Sequence, residues 1–297
     1  MRIVVTGKVG QVVTALLERA PDSVEVIALG RPELDLADGA SIEAAIRAAR
    51  PDVVVSAAAY TAVDRAESEV ETALAINATG AGEVARVSHE LLIPVIHIST
   101  DYVFDGTKPA PYVESDPVAP LGAYGRTKLA GEQAVIAAHP GAVICRTAWV
   151  YSPFGANFVR TMLRLAQTRD DVGVVADQMG NPTSALDIAD AIFEIADTLV
   201  THPSEAPRGI FHMTGSGEGS WADMAEAVFA ASAAAGGPSA TVRRITTADY
   251  PTPAPRPANS RLDCGALARG YGIRLPDWRG SVVAVVARLI KEQELAA

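Results

Sequence analysis

Short apolar runs alternate with alanine-rich, helix-patterned stretches along the first two-thirds of the chain. Ile3–Thr6, Val24–Leu29, Val53–Val55, Val95–Ile98 and Ala142–Arg146 read as strands. Most show no in/out alternation, which is what strands buried on both faces of a parallel sheet require. Helical patterning covers Gln11–Arg19, Ser41–Arg50, Glu69–Leu91 and Gly125–Ala138 between them. Strand, helix, strand at this rhythm predicts an α/β fold, a Rossmann-type doubly wound parallel sheet. Val172–Val175 and Gly209–Met213 are expected as later strands of the same sheet. After Ser220 the pattern changes to a helix over Trp221–Ala235, a Gly-Gly-Pro break, a Pro-rich stretch from Tyr250 to Ser260, and a closing amphipathic helix over Ser281–Glu294. The expected division is a Rossmann domain of residues 1–150 plus about 206–219, with a smaller C-terminal substrate-binding lobe of about 151–205 and 220–297.

Composition narrows the function class. Of 297 residues, 49% are hydrophobic and 20% charged, which excludes a disordered chain and a coiled coil. No apolar run approaches the ~20 residues of a membrane span. The first strand is broken by Gly7 too early to be a signal peptide. Two cysteines, Cys145 and Cys264, cannot staple a chain this long, so a reducing, cytoplasmic location is expected. With 25 basic against 35 acidic residues the net charge is −10, which argues against nucleic acid or an anionic membrane as partner. A small anionic ligand remains open, because a few local arginines suffice when screening acts over ~8 Å.

Chemistry concentrates at the strand ends. The first strand runs into Thr6-Gly7-Lys8-Val9-Gly10-Gln11-Val12-Val13. A strand, Gly-x-x-Gly and a helix present backbone N–H groups to a pyrophosphate, although a plain βα turn would look the same. Small residues Ala57-Ala58-Ala59 follow the third strand, leaving room for a flat cofactor or simply allowing tight packing. Ser99-Thr100-Asp101 follows the fourth strand, and Tyr124-Gly125-Arg126-Thr127-Lys128 comes further on. Tyr124 and Lys128, four apart, project from one helix face. The ammonium is expected to lower the phenol's pKa towards neutrality, as proton exchange there requires. Thr100 or Ser99 could hold the reacting oxygen. The second strand ends Leu29-Gly30-Arg31 without a carboxylate to bind a 2′-hydroxyl, and Arg31 can fork onto a 2′-phosphate. Asp35 lies close enough in sequence to sit near the adenosine instead.

Together the Gly-rich turn, Ser-Thr-Asp-Tyr-Val-Phe at 99–104 and Tyr-x-x-x-Lys resemble the extended short-chain dehydrogenases/reductases. Within them, Arg146-Thr147-Ala148-Trp149-Val150-Tyr151, Asp177-Gln178-x-Gly180-x-Pro182-Thr183 and Arg256-Pro257-x-Asn259-Ser260-x-Leu262 resemble the branch that reduces dTDP-4-keto-6-deoxy sugars. The resemblance implies reduction of the C4 ketone of dTDP-6-deoxy-L-lyxo-4-hexulose to dTDP-L-rhamnose, with NADPH moderately preferred over NADH. It makes Tyr124 the proton donor and Lys128 its pKa partner and a ribose ligand, with Thr100 on the substrate's C4 oxygen. Gly7, Gly10, Gln11, Val12, Asp35, Leu36, Ala58, Ala59 and Thr61 would line the dinucleotide. Asp101, Tyr102 and Trp149 would contact the sugar, and Arg256 and Asn259 the nucleotide diphosphate side. That last assignment competes with a bland one, since composition alone reads Tyr250–Ser260 as an extended linker.

Departures from the family pattern also carry expectations. Val13 stands where a third glycine would allow the first helix to close on the sheet. Some members place glutamates in the first helix and after Pro-Thr to hold magnesium between subunits. The matching stretches here read Val13-Thr14-Ala15 and Ser184-Ala185-Leu186, so no metal site is expected, and the chain is read as a monomer or homodimer. The five histidines, His89, His97, His139, His202 and His212, lack metal-ligand spacing and are read as structural or surface residues. Cys145, Trp221 and Trp278 are read as packing. The rival functions are another NDP-deoxysugar ketoreductase or epimerase, and a non-catalytic regulatory subunit of the same fold.

Overall fold

Uninterrupted apolar strands need cover on both sides, and the chain supplies it by alternating them with helices. The computed structural model describes residues 1–296. Its central sheet is built from β1 (Arg2–Thr6), β2 (Glu25–Leu29), β3 (Val53–Ser56), β4 (Val95–Thr100), β5 (Val143–Thr147) and β6 (Gly209–His212). The helices that follow β1, β2, β3 and β4 are α1 (Gln11–Arg19), α2 (Gly39–Ala49), α3 (Ala81–Glu90) and α4 (Ala123–Ala138). All pairings are parallel, in the order β2-β1-β3-β4-β5-β6. The chain steps outward from β1 to β2, then crosses back to β3. A crevice therefore opens between the C-terminal ends of β1 and β3, where ligands of such sheets bind.

The strands deal their side chains to two cores. Ile3, Val5, Val53, Val55, Val143 and Cys145 face α1 and α6 (Ala185–Thr201), with Leu16, Ile188 and Ile192 between them. Val54 and Ile144 face α2, α3 and α4 through Ile42, Ile46, Val84 and Val135. α6 lies in the stretch expected to belong to the lobe, yet it packs on the sheet. Its length and apolarity escaped the sequence reading, which placed no helix there.

A third core stands apart. It joins α5 (Phe158–Ala166), α7 (Trp221–Ala234) and α8 (Trp278–Ala296) through Val159, Leu163, Val228, Phe229, Val282 and Val286. Asp171–Val175 belongs here, paired in parallel with Thr241–Ile245, and is not a strand of the central sheet. An apolar run cannot announce which sheet it joins. Gly209–His212 does join the central sheet, beside β5.

The helix expected over Glu69–Leu91 is interrupted. Val70–Leu74 and α3 flank a π-helical turn, Ala75–Gly80. Two contacts explain the wide turn. A Cβ on Gly80 would stand 2.3 Å from the Leu36 carbonyl oxygen. Asn77 turns inward, its Oδ1 accepting from Tyr60 N–H at 2.7 Å and its Nδ2 donating to Thr127 Oγ1 at 3.0 Å. Local widening at a functional segment is the usual context of such turns.

Candidate active site

Gly7 follows β1 with a φ of +102°, in the left-handed region, and a Cβ there would press to 3.2 Å from Val13 Cγ2 and 3.4 Å from Ala58 Cβ. Glycine alone makes this turn without strain. Thr6 Oγ1 accepts from the N–H groups of both Ala57 and Ala58 at 3.0 Å, tying the end of β1 to the end of β3. Ala58 and Ala59 are half-buried beside it, and Thr61 is exposed. Gly10 caps α1 without a side chain, and no acidic residue occupies the first turn. The leading N–H groups of α1 are thus free for an anion. Gln11 is anchored sideways, its Oε1 accepting from Ser152 Oγ at 2.8 Å and its Nε2 donating to the Val150 carbonyl at 3.4 Å. Val12 is half-buried, and Val13, in the third glycine's place, is buried in the core against the sheet.

At the far end of the crevice, a Cβ on Gly30 would meet Lys8 Cγ at 3.1 Å. Lys8 therefore covers the spot where an acid at the end of β2 would stand, and it pairs with Glu33. Arg31 is exposed beside them. Asp35 shapes its own loop, Oδ1 accepting from Ala37 N–H at 3.0 Å, and Leu36 is buried under Gly80.

Thr100 ends β4. Its Oγ1 accepts from Tyr102 N–H at 3.2 Å and donates to Asp101 Oδ1 at 3.0 Å. α4 lies against this turn because two glycines permit it. A Cβ on Gly125 would fall 2.2 Å from the Tyr102 carbonyl oxygen, and one on Gly131 would fall 2.1 Å from that of Asn77. Tyr124 is thereby brought edge-on to Tyr102, ring centroids 5.5 Å apart. The start of α4 is held from outside by Glu67, whose Oε1 accepts from Ala123 N–H at 2.7 Å. An acceptor carboxylate there also favours the helix dipole.

The electrostatics correct one expectation. The Tyr124 phenol is raised above its usual pKa, first by burial and then by the Asp101 carboxylate, against the Thr100 hydroxyl. Lys128 does not pull it down. The lysine, buried, turns its ammonium to the Ile98 carbonyl at 2.7 Å and to His97 Nε2 at 3.3 Å. Burial brings that ammonium down to about 8, with Glu132 opposing. Asp101 is pushed up to about 6 by burial, against hydrogen bonds from Ser260 and Thr100, and its Oδ2 has no partner. Tyr102 rises to about 12, chiefly by burial.

Beneath this cluster lies an ion pair that the sequence reading missed. Arg146 Nε and Nη2 donate to Glu132 Oε1 and Oε2 at 2.8 and 2.7 Å, and Ser99 Oγ donates to Oε1 at 2.5 Å. Both side chains are 2% exposed. Tyr124, Lys128 and Glu132 share one stripe of α4 at i, i+4 and i+8, a spacing that could have revealed the third member.

The remaining candidates divide. Arg256 Nη2 bonds both oxygens of Asp64 at 2.9 Å, and its buried Nη1 has no partner. The guanidinium also reaches Tyr102, whose phenol it holds down against the burial. Trp149, at φ +50°, stacks on Trp221 with centroids 3.7 Å apart and lies over Gly180, where a Cβ would come within 2.5 Å of the indole. Asn259 is a correction. Its Nδ2 donates to the carbonyls of Lys108 and Ala110 at 2.6 and 2.9 Å, and its Oδ1 accepts from Arg261 N and Nε at 3.1 and 2.8 Å. No capacity remains for a substrate. Among the described residues no cluster of three His, Cys, Asp or Glu could hold a metal ion, and no helix is long and apolar enough to cross a membrane.

Comparison with known proteins places this geometry. Residues 1–291 match the family model described as RmlD substrate binding domain. The chain is similar to a dTDP-4-dehydrorhamnose reductase of Sinorhizobium fredii, 52% identical over 98% of this chain and 99% of the relative. It is 42% identical to a probable dTDP-4,6-dihydroxy-2-methyloxan-3-one 4-ketoreductase of Streptomyces antibioticus, over 95% of this chain and 93% of the relative. Among solved structures, a dTDP-4-dehydrorhamnose reductase of Bacillus anthracis in complex with NADP superposes with a TM-score of 0.90, at 32% identity over 97% of this chain and 99% of that one.

Proposed function

The chain belongs to the RmlD substrate binding domain family, and from that premise we propose that it reduces the C4 ketone of dTDP-4-dehydro-L-rhamnose to dTDP-L-rhamnose with NADPH. The observation that carries this reading is the Tyr124 phenol beside the Thr100 hydroxyl at the end of β4, with Lys128 buried one helical turn on, together with the Gly7 turn and the uncapped start of α1. The residues fit a dinucleotide: a left-handed glycine, free helix N–H groups and alanines that present nothing beyond a Cβ. When bound, NADPH supplies the hydride.

The protein's own residues do the rest. The Thr100 hydroxyl, turning its O–H away from Asp101 Oδ1, holds the C4 oxygen. Tyr124, whose raised pKa keeps its proton in place at neutral pH, donates that proton to the developing alkoxide. Lys128, one helical turn on and held by the Ile98 carbonyl and His97, gives its remaining N–H to the ribose. Gly7, Gly10, Gln11, Val12, Asp35, Leu36, Ala58, Ala59 and Thr61 line the dinucleotide, and Arg31 meets its 2′-phosphate. Asp101, Tyr102 and Trp149 contact the sugar. Arg256 takes the diphosphate through the N–H groups that now face Asp64 or lack a partner. Residues 151–205 and 220–297, apart from α6, which packs on the central sheet, serve as the sugar-nucleotide lobe on the Rossmann domain. The protein acts in the cytoplasm as a monomer or homodimer, without magnesium.

The test is to supply dTDP-4-dehydro-6-deoxy-D-glucose, the companion 3,5-epimerase and NADPH, and to identify the product. Formation of dTDP-L-rhamnose only when the epimerase is present is the expected result. The similarity to the Streptomyces antibioticus ketoreductase supports a second reading, a reductase of a different dTDP-deoxysugar. NADPH consumption without the epimerase favours that reading.

A further inference from the structure

His97 stands on β4, wholly enclosed, between two polar partners on neighbouring elements. Its Nδ1 lies 3.0 Å from Ser56 Oγ on β3, and its Nε2 lies 3.3 Å from Lys128 Nζ on α4. A buried ammonium can only donate, so Nε2 must accept. The proton of the neutral ring is then on Nδ1 and goes to Ser56. We propose that His97 is a positioning residue for Lys128: anchored by Ser56 in the Nδ1–H tautomer, it joins the Ile98 carbonyl in fixing the ammonium beneath the substrate crevice.

The arrangement has a physical logic. Lysine carries three N–H donors, and in water all three would be satisfied. Enclosed on α4, Lys128 meets one carbonyl at 2.7 Å and one imidazole, which leaves one donor for a ligand. The charged groups around it are few. Glu132 on the same helix raises its pKa but is committed to Arg146 on β5 and Ser99 on β4. Asp101, after β4, acts on Tyr124. His97 itself is held neutral by burial and by the lysine's charge, so it does not compete for the proton. Removing the imidazole acceptor deprives the ammonium of a hydrogen bond and makes its charged form harder to keep.

The prediction can be read without any assay of turnover, because the chain has only four lysines, Lys8, Lys108, Lys128 and Lys291. In protein labelled with 13C at lysine Cε, the Lys128 resonance should titrate near about 8. His97→Leu, which fills the space but accepts nothing, should lower that midpoint by roughly one pH unit, the size expected for a lost charge-assisted hydrogen bond. His97→Gln, whose side-chain oxygen can reach the place of Nε2, should stay near wild type. Ser56→Ala, which frees the tautomer, should fall between the two. The alkaline limb of kcat/KM should move with each midpoint. An unchanged Lys128 midpoint in a folded His97→Leu, with Gln no better than Leu, overturns the proposal. The ribose and proton-transfer consequences rest on the reductase reading. Shifted midpoints in a protein that reduces no dTDP-4-keto sugar would leave the positioning role standing and remove that reading.

Discussion

Two arginine–carboxylate pairs flank the candidate site, and they differ in exposure and in how they are bonded. Arg146–Glu132 lies under α4 with both side chains 2% exposed, while Arg256–Asp64 lies on the rim at 19% and 42%. The inner pair has its carboxylate saturated by two guanidinium bonds and Ser99. The outer pair bonds its carboxylate through a single terminal nitrogen, and in both pairs the arginine's Nη1 is buried without an acceptor. A buried pair is costly to break because the survivor is stranded, whereas a half-exposed pair is worth little and can be exchanged. The same chemistry therefore seats α4 in one place and leaves an exchangeable arginine on the rim in the other.

That division predicts where turnover and recognition separate. Tyr124→Phe keeps the ring against Tyr102 but removes the proton, so kcat should fall by roughly 10²–10⁴ with cofactor affinity nearly intact. Lys128→Met should weaken both. Near wild-type turnover in Tyr124→Phe would place the proton donor elsewhere. The inner pair itself should register as stability. Glu132→Ala strands Arg146 and should cost about 3–5 kcal/mol in chemical denaturation, while the double replacement Glu132→Leu with Arg146→Met should recover most of it. If the single variant unfolds like wild type, the pair is not what seats α4.

The outer pair should register as affinity. Arg256→Ala should raise the substrate KM roughly ten- to hundredfold and leave that of the cofactor unchanged, since a charged hydrogen bond is worth about 1.5–3 kcal/mol. Asn259→Ala, three residues on, should do the opposite. It removes the bonds of two carbonyls and of Arg261 N and Nε, at a cost of about 1–3 kcal/mol in stability, with the substrate KM unmoved. A large KM change in Asn259→Ala would restore it to the substrate's side of the strap.

Why one region was legible and the other was not follows from how far apart the partners lie in sequence. Tyr124 and Lys128 are four residues apart, so helical geometry alone placed them together. Gly7 and Gly10 likewise declare a turn locally. Arg256 and Asp64 lie 192 residues apart, and Asn259 finds its carbonyls about 150 residues away. Nothing local distinguishes an arginine on an exchangeable rim pair from an asparagine that ties down a loop. Asp171–Val175 reads as any buried strand until Thr241–Ile245, itself mostly exposed and unannounced, appears beside it. The sign of the Tyr124 shift failed for a related reason. Spacing puts a lysine near a phenol, but burial and the direction of the ammonium decide the outcome, and both depend on β4.

The smallest effect belongs to the adenosine end of the proposed cofactor site, where the pair is again an exposed one. Lys8 is bound to Glu33, and both are well exposed, at 39% and 56%. It also overlies Gly30, so no carboxylate could stand there without displacing it. Arg31 is exposed next to this pair. A 2′-phosphate would thus meet one arginine and one lysine that Glu33 can release at little cost. We expect NADPH to be used with a kcat/KM several-fold above NADH. Arg31→Ala should erode that ratio through the KM for NADPH without abolishing it, because Lys8 remains. Glu33→Gln, which frees Lys8, should widen it. Salt should narrow the preference in every variant, as exposed charges are screened within ~8 Å. Equal use of NADH by the wild type would mean that Arg31 points to solvent and that Asp35 faces the ribose instead.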